Sequence, residues 1–121
     1  MKSETIMIDD QKYVRDDAVL KSAPKLDGME YVMCRTYSAG VFAGYLAERV
    51  GKEATLKNAR RIWYWSGAAS LSQLATDGTS DPNNCTFPCE VSEVILTEVV
   101  EIIPITEKAK KSIAEVAVWK K

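Results

Sequence analysis

Histidine is absent from this chain, which removes the side chain most often used as a general base near neutral pH. The other common catalytic signatures are missing as well. There is no G-x-S-x-G elbow, no phosphate-binding P-loop and no G-x-G-x-x-G turn. Cys34 has no imidazole that could activate its thiol. A binding protein is therefore expected rather than an enzyme. Cysteine is scarce, and its count of three is odd. Cys85 and Cys89 are separated by three residues, which is not a usual zinc spacing, and no histidine can complete a site. No metal and no cofactor is expected, and the thiols are read as free. Neither sign of charge dominates, with 16 basic against 17 acidic residues. That balance argues against coating long DNA or RNA, so any bound anion must be small and met by a local cluster. No run of 18 apolar residues could cross a bilayer. The opening "MKSETIMIDD" turns acidic at once and lacks an apolar signal core. The chain is read as cytosolic, a setting that keeps thiols reduced and leaves the sequon at Asn84 without meaning.

What is present is a chain of 121 residues, 46% hydrophobic, enough for one buried core. Residues 1–28 read as an N-terminal arm or hairpin followed by a linker. Ile6 and Ile8 alternate, Asp9-Asp10 makes a turn, and "KSAPKLDG" is rich in turn formers. Residues 29–121 read as a single α+β domain. "YVMCRTY" alternates as a strand, with Tyr31, Met33, Arg35 and Tyr37 on one side and Val32, Cys34 and Thr36 on the other. "VFAGYLAERV" is a second strand, with Gly44 as a weak point or bulge. "EATLKNA" and "RRIWYWSG" are expected as a third and a fourth, making three linked antiparallel hairpins. Ser70 and Gln73 form a capping box for a short helix that ends at Gly78. The β-branched run "EVSEVILTEVVEII" is expected as one strand, interrupted by a bulge or partly helical. Thr106 can cap a last helix whose Ala109, Ile113 and Val116 share a face. The predicted architecture is a small antiparallel sheet or open barrel with two short helices packed on it.

The aromatic stretch carries the chemistry. If residues 60–66 form a strand, Arg61, Trp63 and Trp65 share one face and Arg60, Ile62 and Tyr64 the other. An indole face can stack on a nucleobase for roughly 1–3 kcal/mol, and an adjacent arginine can hold a phosphate. The plainer alternative is that both tryptophans are core. Arg61 on their face argues that one end meets water, a partner or an anion, because a charge at a packed core position is costly. "RTYSAGV" can add Arg35 for phosphate, Tyr37 for stacking, and Ser38 with the Gly40 backbone for hydrogen bonds. The loop "SDPNNCTF" can add Asn84, whose amide suits an adenine edge, and Phe87. Charge is also uneven. Six basic residues lie between Arg35 and Trp65, and four glutamates with no base between Cys89 and Ile103. A positive and a negative half would suit anion binding or head-to-tail pairing of subunits, so a homo-oligomer is expected.

The segments "RTYSAGVFAGYL", "GKEATLKNARRIWYWSGAASLSQLA" and "ILTEVVEIIPITEKAKKSI", together spanning roughly residues 31–119, resemble a family of small phage and prophage proteins. The motif "NARRIWYWSGA" is the distinctive part. Size, element order and nucleotide-suited residues look like the first-described Thoeris anti-defence proteins. That resemblance implies a sponge that binds a cyclic ADP-ribose isomer, with cyclic oligonucleotides as further ligands, without cleaving it. It also implies oligomeric assembly and action in the cytoplasm of an infected or lysogenic bacterium. No binding residue is carried over from that family, so the candidate residues remain those of the stacking argument. The alternative is a phage-encoded interaction module that inhibits or modifies a host protein through an aromatic anchor patch.

Overall fold

Alternation dictates the first strands. The computed structural model describes residues 21–121; the expected turn at Asp9-Asp10 and the alternation of Ile6 and Ile8 lie outside them. Strand β1 (Glu30–Thr36) pairs antiparallel with β2 (Val41–Val50), and β2 with β3 (Glu53–Ile62). In β1, Val32, Cys34 and Thr36 are buried on one face and Met33 on the other, as the period of two requires. The second and third strands meet at Gly51, whose φ of 60° the tight turn needs.

The expected break between a third and a fourth strand does not exist. Residues 53–59 and 60–62 belong to one strand, β3, and the aromatic run leaves the sheet after Ile62. The continuity depends on a bulge. Ala43 pairs with Arg60 and Tyr45 with Lys57, so Gly44 alone faces both Asn58 and Ala59. Asn58 takes up the extra residue at φ 49°, a region that asparagine tolerates better than most residues. A side chain at Gly44 would press on Ala59, with a Cβ only 3.1 Å from its Cα. The bulge also shifts the phase of β3. Ala54 and Leu56 line one face before it, and Ala59 lines that same face after it. Arg60 and Ile62 are thereby turned to the opposite face.

The β-branched run is not one strand but two, at opposite edges of the sheet. Strand β4 (Glu90–Leu96) pairs with β3, and β5 (Val99–Pro104) pairs with β1, giving the order β4-β3-β2-β1-β5. Only Thr97 and Glu98 separate them. Such a short link can join both edges only if the open sheet is strongly coiled, as its twist and bulges allow. The backbone at that corner agrees. Val99 N donates to Lys52 O at 2.9 Å, and Tyr37 N to Glu98 O at 2.9 Å. The inner face holds one core, built from Val32, Cys34, Phe42, Leu56, Leu96 and Val99.

The other face carries the helices. Helix α1 (Leu71–Asp77) starts at Ser70, whose Oγ accepts from Gln73 N, while Gln73 Oε1 accepts from Ala69 N. Gly78 ends it at φ 79°. Helix α2 (Glu107–Glu115) is capped by Thr106, which also donates to Thr76 O at 2.6 Å and so ties the two helices together. Leu74, Ala109, Ile113 and Val116 pack with Met33, Ile62, Phe87 and Ile105 in a second core. The turn-rich segment before β1 is docked rather than free. Ala23 N donates to Ile105 O at 3.0 Å, and Leu26 and Met29 close a turn in which Asp27 and Gly28 both have positive φ. The architecture is the expected α+β arrangement of an antiparallel sheet with two short helices.

Candidate functional site

The end of β3 and the turn between β1 and β2 are brought side by side because Val41 pairs with Ile62. There the chain is pulled off the sheet. Trp63 N and Tyr64 N both donate to Thr86 O at 3.1 Å, and Thr86 N donates to Tyr64 O at 2.8 Å. Trp63 is left outside, 65% exposed. Between it and the turn lies a cleft of about 270 Å³, lined by Ser38, Ala39, Gly40, Arg61, Ile62 and Trp63. Thr36 shapes the turn, donating from its backbone N–H and its hydroxyl to Gly40 O at 2.9 and 2.8 Å. Gly40 needs its φ of 90° for that.

Arg61 is held firmly. Its guanidinium carbon lies 4.3 Å from the centre of the Phe42 ring, and Nη1 donates to Ala39 O at 2.5 Å. No carboxylate among the described residues forms a salt bridge with it. The cleft thus offers an exposed indole, an ordered cation and a turn with a polar backbone. Such a set can stack a flat ring and hold an anion. One carboxylate stands nearby, since Ser38 Oγ donates to Glu98.

Of the nine residues expected at the site, Ser38, Gly40, Arg61 and Trp63 line this cleft. Tyr37, 82% exposed, immediately precedes Ser38 in the turn. The other four are placed differently. Arg35 Nε is paired with Glu101 Oε1 across β1 and β5 at 2.9 Å. Trp65 is half-buried against the helix-side core, so it does not share a strand face with Arg61 and Trp63. Asn84 ends a short 3-10 turn and gives its amide to both oxygens of Asp81, at 3.0 and 2.9 Å. Phe87 is fully buried in the core and unavailable to a ligand. Two ion pairs join acidic and basic strands, Lys57–Glu93 between β3 and β4 and Arg35–Glu101 between β1 and β5.

A second constellation was not anticipated. Arg60, beside Arg61 in sequence, is only 7% exposed. Its guanidinium donates to four backbone carbonyls: Pro88 at 2.9 Å, Ile113 at 2.9 Å, Phe87 at 3.1 Å and Val116 at 2.8 Å. It thereby ties the sheet to the end of α2. Burial pulls its pKa down, and Tyr31, Glu90 and Cys89 push it back up. It also borders a cavity of about 360 Å³ that contains Tyr31, Tyr45, Asn58, Glu90 and Lys110. Burial pushes the Tyr31 phenol up to about 12, reinforced by Tyr45 and Glu90. Burial alone pushes the Cys34 thiol up to about 11, which suits an inert core thiol. The sequence signal for this constellation was the strand alternation of Tyr31 and Tyr45. The signal missed was the bulge at Asn58, which sets where Arg60 points.

Fold and cleft define a class: a small α+β protein, a coiled five-stranded antiparallel sheet with helices on one face and an aromatic–arginine cleft at one end. The family model of DUF6948, a domain of unknown function, matches residues 29–113, and the chain belongs to that family. Neither a curated protein nor a solved structure matches it. No helix among the described residues is long and apolar enough to cross a membrane.

Proposed function

We propose that this protein is a non-catalytic binder of a small phosphorylated nucleobase ligand, held in the cleft between Trp63 and the turn at 38–40. In the particular role that the likeness in size, element order and nucleotide-suited residues implies, it is a phage anti-defence protein. It takes up a cyclic nucleotide immune signal, a cyclic ADP-ribose isomer or a cyclic oligonucleotide, and keeps it intact in the bacterial cytoplasm. The observation that carries the reading is Trp63, an indole left 65% exposed beside an ordered arginine. An exposed indole beside an ordered guanidinium is a surface on which a flat ring can stack. The base would stack on Trp63, a phosphate would meet the free N–H groups of Arg61, and the turn backbone would hold the sugar. A ligand with two bases would overhang one cleft, which fits a homo-oligomer in which a second copy covers the rest. Isothermal titration with cyclic ADP-ribose isomers and cyclic dinucleotides tests this. Binding should be lost in Trp63→Ala and Arg61→Gln, and heating the complex should release unaltered ligand. Absence of heat with every nucleotide, or release of a cleaved product, rejects it.

One observation favours a second reading. Trp63, which lines the cleft, and Tyr37, which precedes Ser38 in the turn, are both strongly exposed. Exposed aromatics of this kind anchor protein–protein contacts, so a host protein gripped through them is the alternative. Stoichiometric capture of one host protein, lost in Trp63→Ala and unaffected by nucleotides, selects it.

A further inference from the structure

The bulge in β3 raises a question that the cleft does not answer. It holds Asn58 in a conformation that costs free energy for any residue with a side chain, and bulges often serve to re-aim side chains beside binding sites. Asn58 lines the cavity of about 360 Å³ between the bulge and α2. Tyr31 and Tyr45 form its aromatic wall. They are direct cross-strand neighbours, with ring centres 4.9 Å apart and planes at 63°. Both rings are only partly buried and both line the cavity. Lys110 reaches in from α2, its Nζ 5.3 Å from the Tyr31 ring centre and 5.9 Å from that of Tyr45. Among the described residues it forms a salt bridge with no carboxylate. Leu26 and Val118 line the cavity too and are partly exposed.

We propose that this cavity is a second binding site, for a planar ring that carries a single negative charge. The ring packs against the tyrosine pair. The anionic group pairs with the Lys110 ammonium, which the two rings already hold in place. The Asn58 amide, with both a donor and an acceptor, reads the polar edge of a heterocycle. Arg60 contributes positive potential but few donors, since four of its hydrogen bonds go to backbone carbonyls. Glu90 also lines the cavity, and its carboxylate opposes a second negative charge on the guest. That selects a monoanion over a polyphosphate. Aromatic carboxylates and cyclic phosphodiesters of a nucleoside share this chemistry.

The test uses the full chain, with nicotinate and 3′,5′-cyclic AMP as the two probes. Isothermal titration gives affinity, and amide and indole chemical shifts give location. At least one probe should bind and shift the signals of Tyr45, Asn58 and Lys110, and nicotinate, which is no nucleotide, should leave the Trp63 indole N–H unmoved. Which probe binds identifies the source of the anion. Lys110→Met, which keeps the aliphatic stem, should weaken binding at least tenfold. Asn58→Gly keeps the bulge, because glycine adopts its φ freely, and should weaken binding several-fold. The proposal is overturned if neither probe binds at millimolar concentration, or if Lys110→Met binds as wild type does. It is equally overturned if the shifts gather at Trp63 and Arg61 and none appears at Tyr45, Asn58 or Lys110. That last pattern would leave the cleft reading standing while removing this one.

Discussion

Arg60 and Arg61 are adjacent and chemically identical, yet the fold assigns them opposite tasks, and substituting each by methionine separates those tasks. Methionine keeps most of the aliphatic stem and removes the guanidinium. At position 60 four carbonyls lose a charged donor at once. A hydrogen bond to a charged group contributes about 1.5–3 kcal/mol. The four do not simply add, because the neighbouring cavity can admit water to some of the carbonyls. The loss expected for breaking a buried charged network is about 3–5 kcal/mol, against a typical domain stability of about 5–15 kcal/mol. At position 61 the one hydrogen bond lost is solvent-exposed and so screened, and one ring contact goes with it, so the expected change is at most about 1 kcal/mol. Urea unfolding followed by far-ultraviolet circular dichroism measures both, with the slope checked for constancy. Arg60→Met should shift the midpoint far to low urea, whereas Arg61→Met should hardly move it and should abolish ligand binding. A loss below about 1 kcal/mol at position 60, or equal losses at the two positions, refutes the division of roles.

The tryptophans are expected to divide in the same way. Trp63→Ala should change stability by no more than about 1 kcal/mol because the ring is mostly in water, whereas Trp65→Ala, half-buried against the core, should lose about 2–3 kcal/mol; equal losses in urea titrations would contradict the placement. Stability should also fall in alkali. Unfolded, Cys34 and Tyr31 ionise near 9.0 and 10.0; folded, they hold their protons to about 11 and about 12. The folded state therefore binds more protons between pH 9 and 12, and each group removes about 1.4 kcal/mol per pH unit across its own window. In Cys34→Ala the decline should begin about one unit later, and a flat profile from pH 8 to 11.5 would reject the burial of both groups. Gly44→Ala should lose about 1–3 kcal/mol, since the new Cβ meets Ala59 and Lys57 O at 3.1–3.2 Å across the bulge; unchanged thermal unfolding would show that the bulge can relax.

Local rules made several elements legible in the sequence. The alternation of β1, the span of β2, the capping box before α1, the stop at Gly78 and the Thr106 cap of α2 all follow from the chemistry of a few neighbouring residues. So did four members of the cleft, because Arg61 and Trp63 are close in sequence and the turn at 38–40 announces itself through its glycine. Three other candidates lie away from the cleft for a shared reason. Phe87, Trp65 and Asn84 were judged by residue type, but their exposure depends on what packs over them.

The sequence by itself determined where both helices and the first three strands start, because caps, turns and periodicity act over a few residues. Tertiary structure alone decided how β3 runs on through an asparagine bulge, and how one β-branched run divides between the two edges of a coiled sheet. The same packing sent Arg60 inward to four carbonyls and left Arg61 beside an exposed indole. A single extra residue at Asn58 inverts the facing of everything after it, and strand pairing with distant partners, not local preference, makes that residue extra.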